Sequence, residues 1–343
     1  MTGKLRKVME MALRTGARLL AGAMLCVAGL RSQPQPVLLE ITVQNQVWYF
    51  DTGELSKFAT VSDMVMVPRF PPFQPCAGMA DIISVNGTPV NGALLMYGAQ
   101  LSPSPNPTPG RNSVSDIQRA ALWSVYLEIL AVDGRQVGSL MASGMHGGSA
   151  PPGSPKVPAV ANWAITGGTG AFLGAAGQMI VSGNVANQTV RFVSMESDPS
   201  TRRSSGMGAL KYIVQLIPAA RPEVVRNAAG PAVFHADFTT VTANAPVTPG
   251  EILIARAVGL GPVREPLEPG QAFPEDPLAI VNSPVEVTLA GISTEVISQV
   301  GWPGTLDQYR VDFRVPRGLG AGTVPLRLSA AWIPGSELQL MVR

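Results

Sequence analysis

The stretch Trp163 to Gly177, WAITGGTGAFLGAAG, constrains the fold more than any other part of the sequence. An apolar run rich in strand-forming residues enters a Gly-Gly-Thr-Gly segment, and a second turn of small residues follows. Glycines permit positive φ and close approach of neighbouring backbones, Thr169 can hydrogen-bond the turn, and Phe172 can anchor it in a core. Gly167, Gly168, Thr169, Gly170, Phe172 and Gly177 are therefore expected to form a structural turn motif between two strands. A phosphate cradle of similar composition needs a following Lys and a helix, and the sequence has neither there.

The surrounding sequence reads as short strands separated by turn signals. Expected strands begin at Leu38 and continue as Thr60–Val67, Asp81–Val85, Ala93–Gln100, Leu122–Val132, Gln136–Gly144, Ala159–Thr166, Gln178–Gly183, Thr189–Glu196 and Leu210–Ile217. Asn86-Gly87, Asn91-Gly92 and Asp133-Gly134 are hairpin signals between them. In LWSVYLEILAV, Trp123, Val125, Leu127 and Ile129 share one face, and Ser124, Tyr126 and Glu128 the other. With 36 glycines, 31 prolines and only 14% charged residues, this pattern points to an all-β chain. Residues 37–217 are expected to close into an antiparallel eight-stranded β-barrel.

Composition shifts at IPAARPEVVRNAAG, so residues 218–230 are expected to be a linker. Residues 231–343 then carry seven strand-like segments: Ala232–Val241, Glu251–Ala257, Val285–Leu289, Thr294–Val300, Gln308–Val315, Val324–Leu328 and Glu337–Val342. Seven short strands in a segment of that length describe an immunoglobulin-like β-sandwich.

Residues 1–32 have the pattern of a signal peptide. Lys4, Arg6, Lys7, Arg14 and Arg18 precede the apolar run Leu19–Leu30, which is short for a transmembrane helix and ends at Arg31 and a Gln/Pro tail. Cleavage leaves a secreted or cell-surface protein without a transmembrane anchor. Because residues 1–32 hold six basic residues and one acid, the remainder carries 25 − 6 = 19 basic and 23 − 1 = 22 acidic residues, a net of −3. That balance gives no basic face for nucleic acid. Only Cys76 would remain, in the Pro-rich turn PRFPPFQPCAG, so no intramolecular disulfide is expected.

Two family resemblances follow from these motifs. DGRQVGS (Asp133 to Ser139) followed by NWAITGGTGAFLGAAG resembles the core of dirigent proteins and, more broadly, the allene-oxide-cyclase-like barrels. The matching positions are Gly167, Gly168, Thr169, Gly170, Phe172, Ala175 and Gly177. The resemblance implies a β-barrel, and an activity that uses acidic and arginine side chains to steer a phenolic or apolar substrate. At the positions where the family places those charges this sequence has Asn162, Ala171 and Ala176. TPGEILIARAVGLGPV, NSPVEVTLAG and VGWPGTLDQYRVDFRVPRGL resemble a C-terminal immunoglobulin-like module of secreted Acidobacteria (Solibacter) proteins. That resemblance implies a bacterial, extracytoplasmic protein with an adhesion-like or spacer module.

The sequence offers no catalytic constellation. His146 and His235 are isolated, no acidic cluster accompanies them, and no Gly-x-Ser-x-Gly elbow is present, so neither a metal nor a cofactor is expected. If the barrel holds a ligand, the mixed strand face supplies Tyr126 and Glu128, with Arg191 as counter-charge. The leading expectation is a binding or structural component whose partner is a cell-surface polysaccharide or protein. The alternative is a barrel-cavity enzyme or carrier for a small apolar or phenolic ligand.

Overall fold

The computed structural model describes residues 35–50, 73–101, 120–145, 159–182, 210–228, 230–264, 267–268 and 270–343. The expected signal peptide, the expected strands Thr60–Val67 and Thr189–Glu196, and the side chains of Arg191 and His146 lie outside them. All regular structure among the described residues is β.

Nine strands make the first sheet: β1 (Val37–Phe50), β2 (Phe73–Val85), β3 (Thr88–Pro89), β4 (Asn91–Leu101), β5 (Ala120–Leu130), β6 (Gln136–Met145), β7 (Ala159–Gly170), β8 (Ala176–Ser182) and β9 (Leu210–Ile217). They run in the order β1-β9-β8-β7-β6-β5-β4-β2, with the two-residue β3 folded back on β2, and a further β1–β2 pairing closes the ring. The result is an eight-stranded antiparallel barrel. Closure removes the free edges that an open sheet of this size would expose.

Strict alternation fills its centre. Val37, Leu39, Ile41 and Val43 of β1, Trp123, Val125, Leu127 and Ile129 of β5, and Leu210, Tyr212, Val214 and Leu216 of β9 belong to one buried cluster. Inward positions of the other strands join them, including Ile82, Leu94, Leu140, Trp163 and Met179. Phe172 and Ala175, from the turn between β7 and β8, cover one end of this core.

The glycine-rich motif differs from expectation in one respect. Gly167, Gly168, Thr169 and Gly170 do not form the turn; they are the last residues of β7 and pair with Met141, Leu140, Ser139 and Gly138 of β6. The chain reverses afterwards, over Ala171–Gly174. Steric room explains why small residues stand there: a Cβ on Gly168 would meet Phe172 O and Ser139 O within 3 Å, so only glycine lets the turn fold back onto the strand. Gly170, at φ 61°, supplies the left-handed residue that starts the reversal. Cys76 also moves from its expected turn into β2, where it pairs with Phe50 and Gly98. Pro75 beside it lies beyond the last β1–β2 pair and is opposite Ala99 of β4, so it has a strand neighbour on one side.

The remaining strands are β10 (Glu223–Val224), β11 (Arg226–Asn227), β12 (Gly230–Pro231), β13 (Val233–His235), β14 (Ile252–Val258), β15 (Val285–Leu289), β16 (Ile292–Ser293), β17 (Glu295–Gly301), β18 (Gln308–Arg314), β19 (Gly322–Ala330) and β20 (Ile333–Val342). One sheet has the order β10-β14-β18-β17, with β13 also on β14, and another β16-β15-β19-β20. All these pairings are antiparallel, and the two sheets enclose a second core that includes Leu253, Val311, Phe313, Leu328 and Leu340. Two antiparallel sheets on either side of one core make a β-sandwich arrangement. Within residues 218–230, expected as linker, Glu223 and Val224 pair with Val258 and Ala257, so the stretch contributes a strand to the sandwich.

The sandwich meets the barrel at the Phe172 end. Ala331 and Ile333, from the tight turn between β19 and β20, are buried members of the barrel cluster, and Trp332 packs against it. Ala331 and Trp332 have φ of 48° and 61°, as a primed two-residue hairpin turn requires. Asn282 Nδ2 donates to Gln136 O at 3.1 Å and to Val263 O at 3.1 Å, tying the end of β6 to the second module. Gly261 lies so close to Ala171 that a Cβ on it would stand 3.0 Å from the alanine methyl.

Candidate functional site

Tyr126 and Glu128 lie on the face of β5 opposite Val125, Leu127 and Ile129, hence on the outer wall of the barrel. By register Tyr126 stands between Leu95 of β4 and Met141 of β6, both exposed. The mixed face thus points away from the packed centre. Arg191 is outside the described residues, so its relation to this pair is not described. Ala171, where the dirigent pattern places an acid, is packed against Gly261 of the second module.

Inside the barrel the described polar groups are few. Trp163 stacks on Tyr212 with ring centroids 6.3 Å apart, and the Tyr212 hydroxyl donates to Gln46 Oε1 at 3.4 Å. Burial pushes the Tyr212 phenol well above the usual tyrosine range, and the Gln46 hydrogen bond acts weakly against it. Gln46 reaches the interior because β1 carries a register irregularity between Gln44 and Val47, with Asn45 at φ 56°.

A second cluster lies on the outer face of the β10-β14-β18-β17 sheet. Arg256 of β14 and Arg310 of β18 are directly opposed across the strands. The Arg256 guanidinium stacks over Trp302 at 5.1 Å, and that of Arg310 over Phe238 at 5.5 Å. Phe234, Phe238 and Trp302 surround one another at 6.4–6.5 Å between centroids. Asp312 takes a bidentate pair from Arg310, Nε at 2.8 Å and Nη2 at 2.9 Å. Arg256 has no such partner among the described residues, and its buried Nε makes no hydrogen bond. Phe238 is 51% exposed and holds φ at 64°, an outlier for a bulky side chain. Its loop is held by Asp237, whose Oδ1 accepts from Thr239 N at 3.0 Å and Thr239 Oγ1 at 2.6 Å. The Thr239 hydroxyl, more than any other neighbour, keeps the Asp237 carboxyl below the ordinary aspartate range.

Sequence reasoning missed this cluster. Alternation in ILIARAV and QYRVDFR does place Arg256, Arg310 and Asp312 on outward positions once Leu253 and Val311 are set inward. What brings Trp302 and Phe238 over them is the pairing of β14 with β18, the β13–β14 loop that carries Phe238 and the β17–β18 loop that carries Trp302, which no local spacing encodes.

His235 is engaged on both ring nitrogens, Nδ1 with Glu251 Oε2 and Nε2 with Ala245 O, each at 3.2 Å. Glu251 also accepts from Thr248 N at 2.6 Å, which accounts for the Thr-Pro-Gly-Glu entry into β14. Among the described residues no group of three or more His, Cys, Asp or Glu side chains converges as metal ligands would.

No family model and no curated protein matches the sequence. Among solved structures, a polysaccharide lyase aligns with 80% of this chain at 10% identity and a TM-score of 0.18, and the chain spans 34% of that protein. A score that low carries no argument about fold or activity.

Proposed function

We propose that the protein is a secreted or cell-surface, non-catalytic binding or structural component. In this reading a dirigent-like barrel serves as scaffold and carries an immunoglobulin-like module of the Acidobacteria type. The observation that supports it is the barrel interior: side chains from all eight strands and the Phe172 turn form one continuous apolar cluster. Such packing among the described residues supports a structural role for the barrel, since ligand sites need concave space with a few convergent polar groups. Ala171 fits the same reading, because the position that would carry charge in a dirigent site is used for contact with the module.

A second reading, a carrier or enzyme for a small apolar or phenolic ligand, draws on one feature. The Tyr212–Gln46 pair puts a hydroxyl and an amide inside an otherwise apolar barrel. Native mass spectrometry of the protein purified from its own host separates the two. The binding-component reading expects the bare polypeptide mass together with retention on the host's envelope fraction. A stoichiometric apolar or phenolic adduct without envelope retention would refute it.

A further inference from the structure

We propose that the face built from Arg256, Arg310, Trp302, Phe234 and Phe238 binds an acidic polysaccharide, with the guanidinium groups taking the carboxylates of hexuronate residues. The proposal rests on the binding-component reading and names the site and the ligand class.

The argument starts from charge. Like charges directly opposed across two antiparallel strands destabilise a sheet unless something neutralises them, and Arg256 and Arg310 are such a pair. Asp312 neutralises Arg310 alone. Arg256 keeps its N–H donors unspent among the described residues, with Nε buried against the aromatic rings. The guanidinium carries a full charge that no carboxylate among the described residues balances, and an anion that accepts from its Nη groups supplies that counter-charge. The Trp302 ring beneath the guanidinium, 5.1 Å from centroid to Cζ, limits where the side chain can swing.

The rings narrow the class of anion. Phe238, half exposed on a strained loop, stands at 75° to the Trp302 ring and offers its own face to solvent beside the two arginines. Strained, exposed aromatics of this kind concentrate at ligand clamps. A pyranose ring presents a flat C–H face to an exposed aromatic ring such as Phe238 and, in a hexuronate, a carboxylate at its rim. Asp237 and Asp312 flank the face, so it lacks the run of cations that binding to a nucleic-acid backbone demands. An acidic peptide offers carboxylates too, but without the C–H face it gains little from the exposed Phe238 ring.

Affinity gel electrophoresis of the full chain tests this with three polymers: polygalacturonate, neutral dextran and poly-L-glutamate. Polygalacturonate is expected to retard the protein, dextran to leave it unmoved, and polyglutamate to act at least tenfold more weakly. Arg256→Gln and Phe238→Ser should each weaken the polygalacturonate effect about tenfold, a loss typical of a hot-spot residue. Arg327→Gln, the same charge change on the opposite sheet, should not. Circular dichroism melts confirm that each variant is folded. If polygalacturonate does not retard the protein, or polyglutamate binds as well and Phe238→Ser changes nothing, the proposal is wrong. Envelope retention without polygalacturonate binding would sink the acidic-sugar assignment and leave the binding-component reading standing. An apolar adduct with no envelope retention would remove both.

Discussion

Two clusters built around a tryptophan differ in what surrounds them. In the barrel, Trp163 and Tyr212 stack with about 1% of their surface in solvent, inside the cluster built by the barrel strands. On the sandwich, Trp302 meets Phe234 and Phe238 at similar spacing, yet Phe238 is half exposed and two guanidinium groups cover the rings. Register makes the difference. Trp163 occupies an inward position of β7, whereas Trp302 stands one residue past the end of β17, beside the outward face of its sheet. The same residue types hold a core together in one place and offer a surface in the other.

The comparison can be broken most forcefully in the barrel. Trp163→Ala should cost about 3–5 kcal/mol in chemical unfolding, the usual loss for a fully buried aromatic. A cost below about 1 kcal/mol would mean that the rings are not part of a close-packed core. Ile333→Ala comes next, at about 2–4 kcal/mol. Ile333 belongs to the sandwich in sequence and to the barrel cluster in space, so hydrogen exchange should quicken both at the Phe172 turn and along β19–β20. Faster exchange confined to the sandwich would show that its hairpin does not seal the barrel.

How far these regions are legible in the sequence follows from the range of the signals. Val125, Leu127 and Ile129 announce their inward face because a strand's period of two is local, and Val285–Leu289 falls where its pattern places it. The glycine motif reads less accurately. Its residues mark a site of crowding, but whether glycine is needed for a turn or for close approach depends on Phe172 and Ser139, which the sequence does not place. Tyr126 and Glu128 share a mixed face in any reading, and barrel closure decides that this face is the outer wall. Arg256 facing Arg310 is a cross-strand pair between residues more than fifty apart in the chain, and Trp302 and Phe238 reach them only through loops. Contacts of that separation leave no periodic trace.

A smaller effect tests the burial of Tyr212. Folded Tyr212 holds its proton more tightly than the unfolded chain does, so its contribution is whole below about pH 10 and is lost as pH rises above that. Tyr212→Phe should cost about 1 kcal/mol at neutral pH, for the lost hydrogen bond to Gln46. Above about pH 10 its stability should fall less steeply than that of the parent. Tyr309, also raised by burial, keeps some alkaline slope in both proteins. Parallel alkaline limbs in the two proteins would show that Tyr212 is solvated.

The smallest effect concerns Phe238 and separates its strain from its contacts. Phe238→Ala removes the ring, its cation–π contact with Arg310 and its edge contact with Trp302, but leaves a Cβ at φ 64°. Phe238→Gly removes the same contacts and also the left-handed penalty, which is about 1 kcal/mol for a residue with a Cβ. The glycine variant should therefore be the more stable of the two by about 1 kcal/mol and lie close to the parent, since an exposed cation–π contact contributes only about 0.5–1 kcal/mol. Thermal melts of the three proteins decide it. If alanine is as stable as glycine, the loop relaxes when the ring is gone, and the Asp237–Thr239 hydrogen bonds do not impose the strained backbone by themselves. If the expected order holds while both variants lose polygalacturonate, the fold bears a strained loop in order to hold the ring over Arg310, where a ligand can reach it.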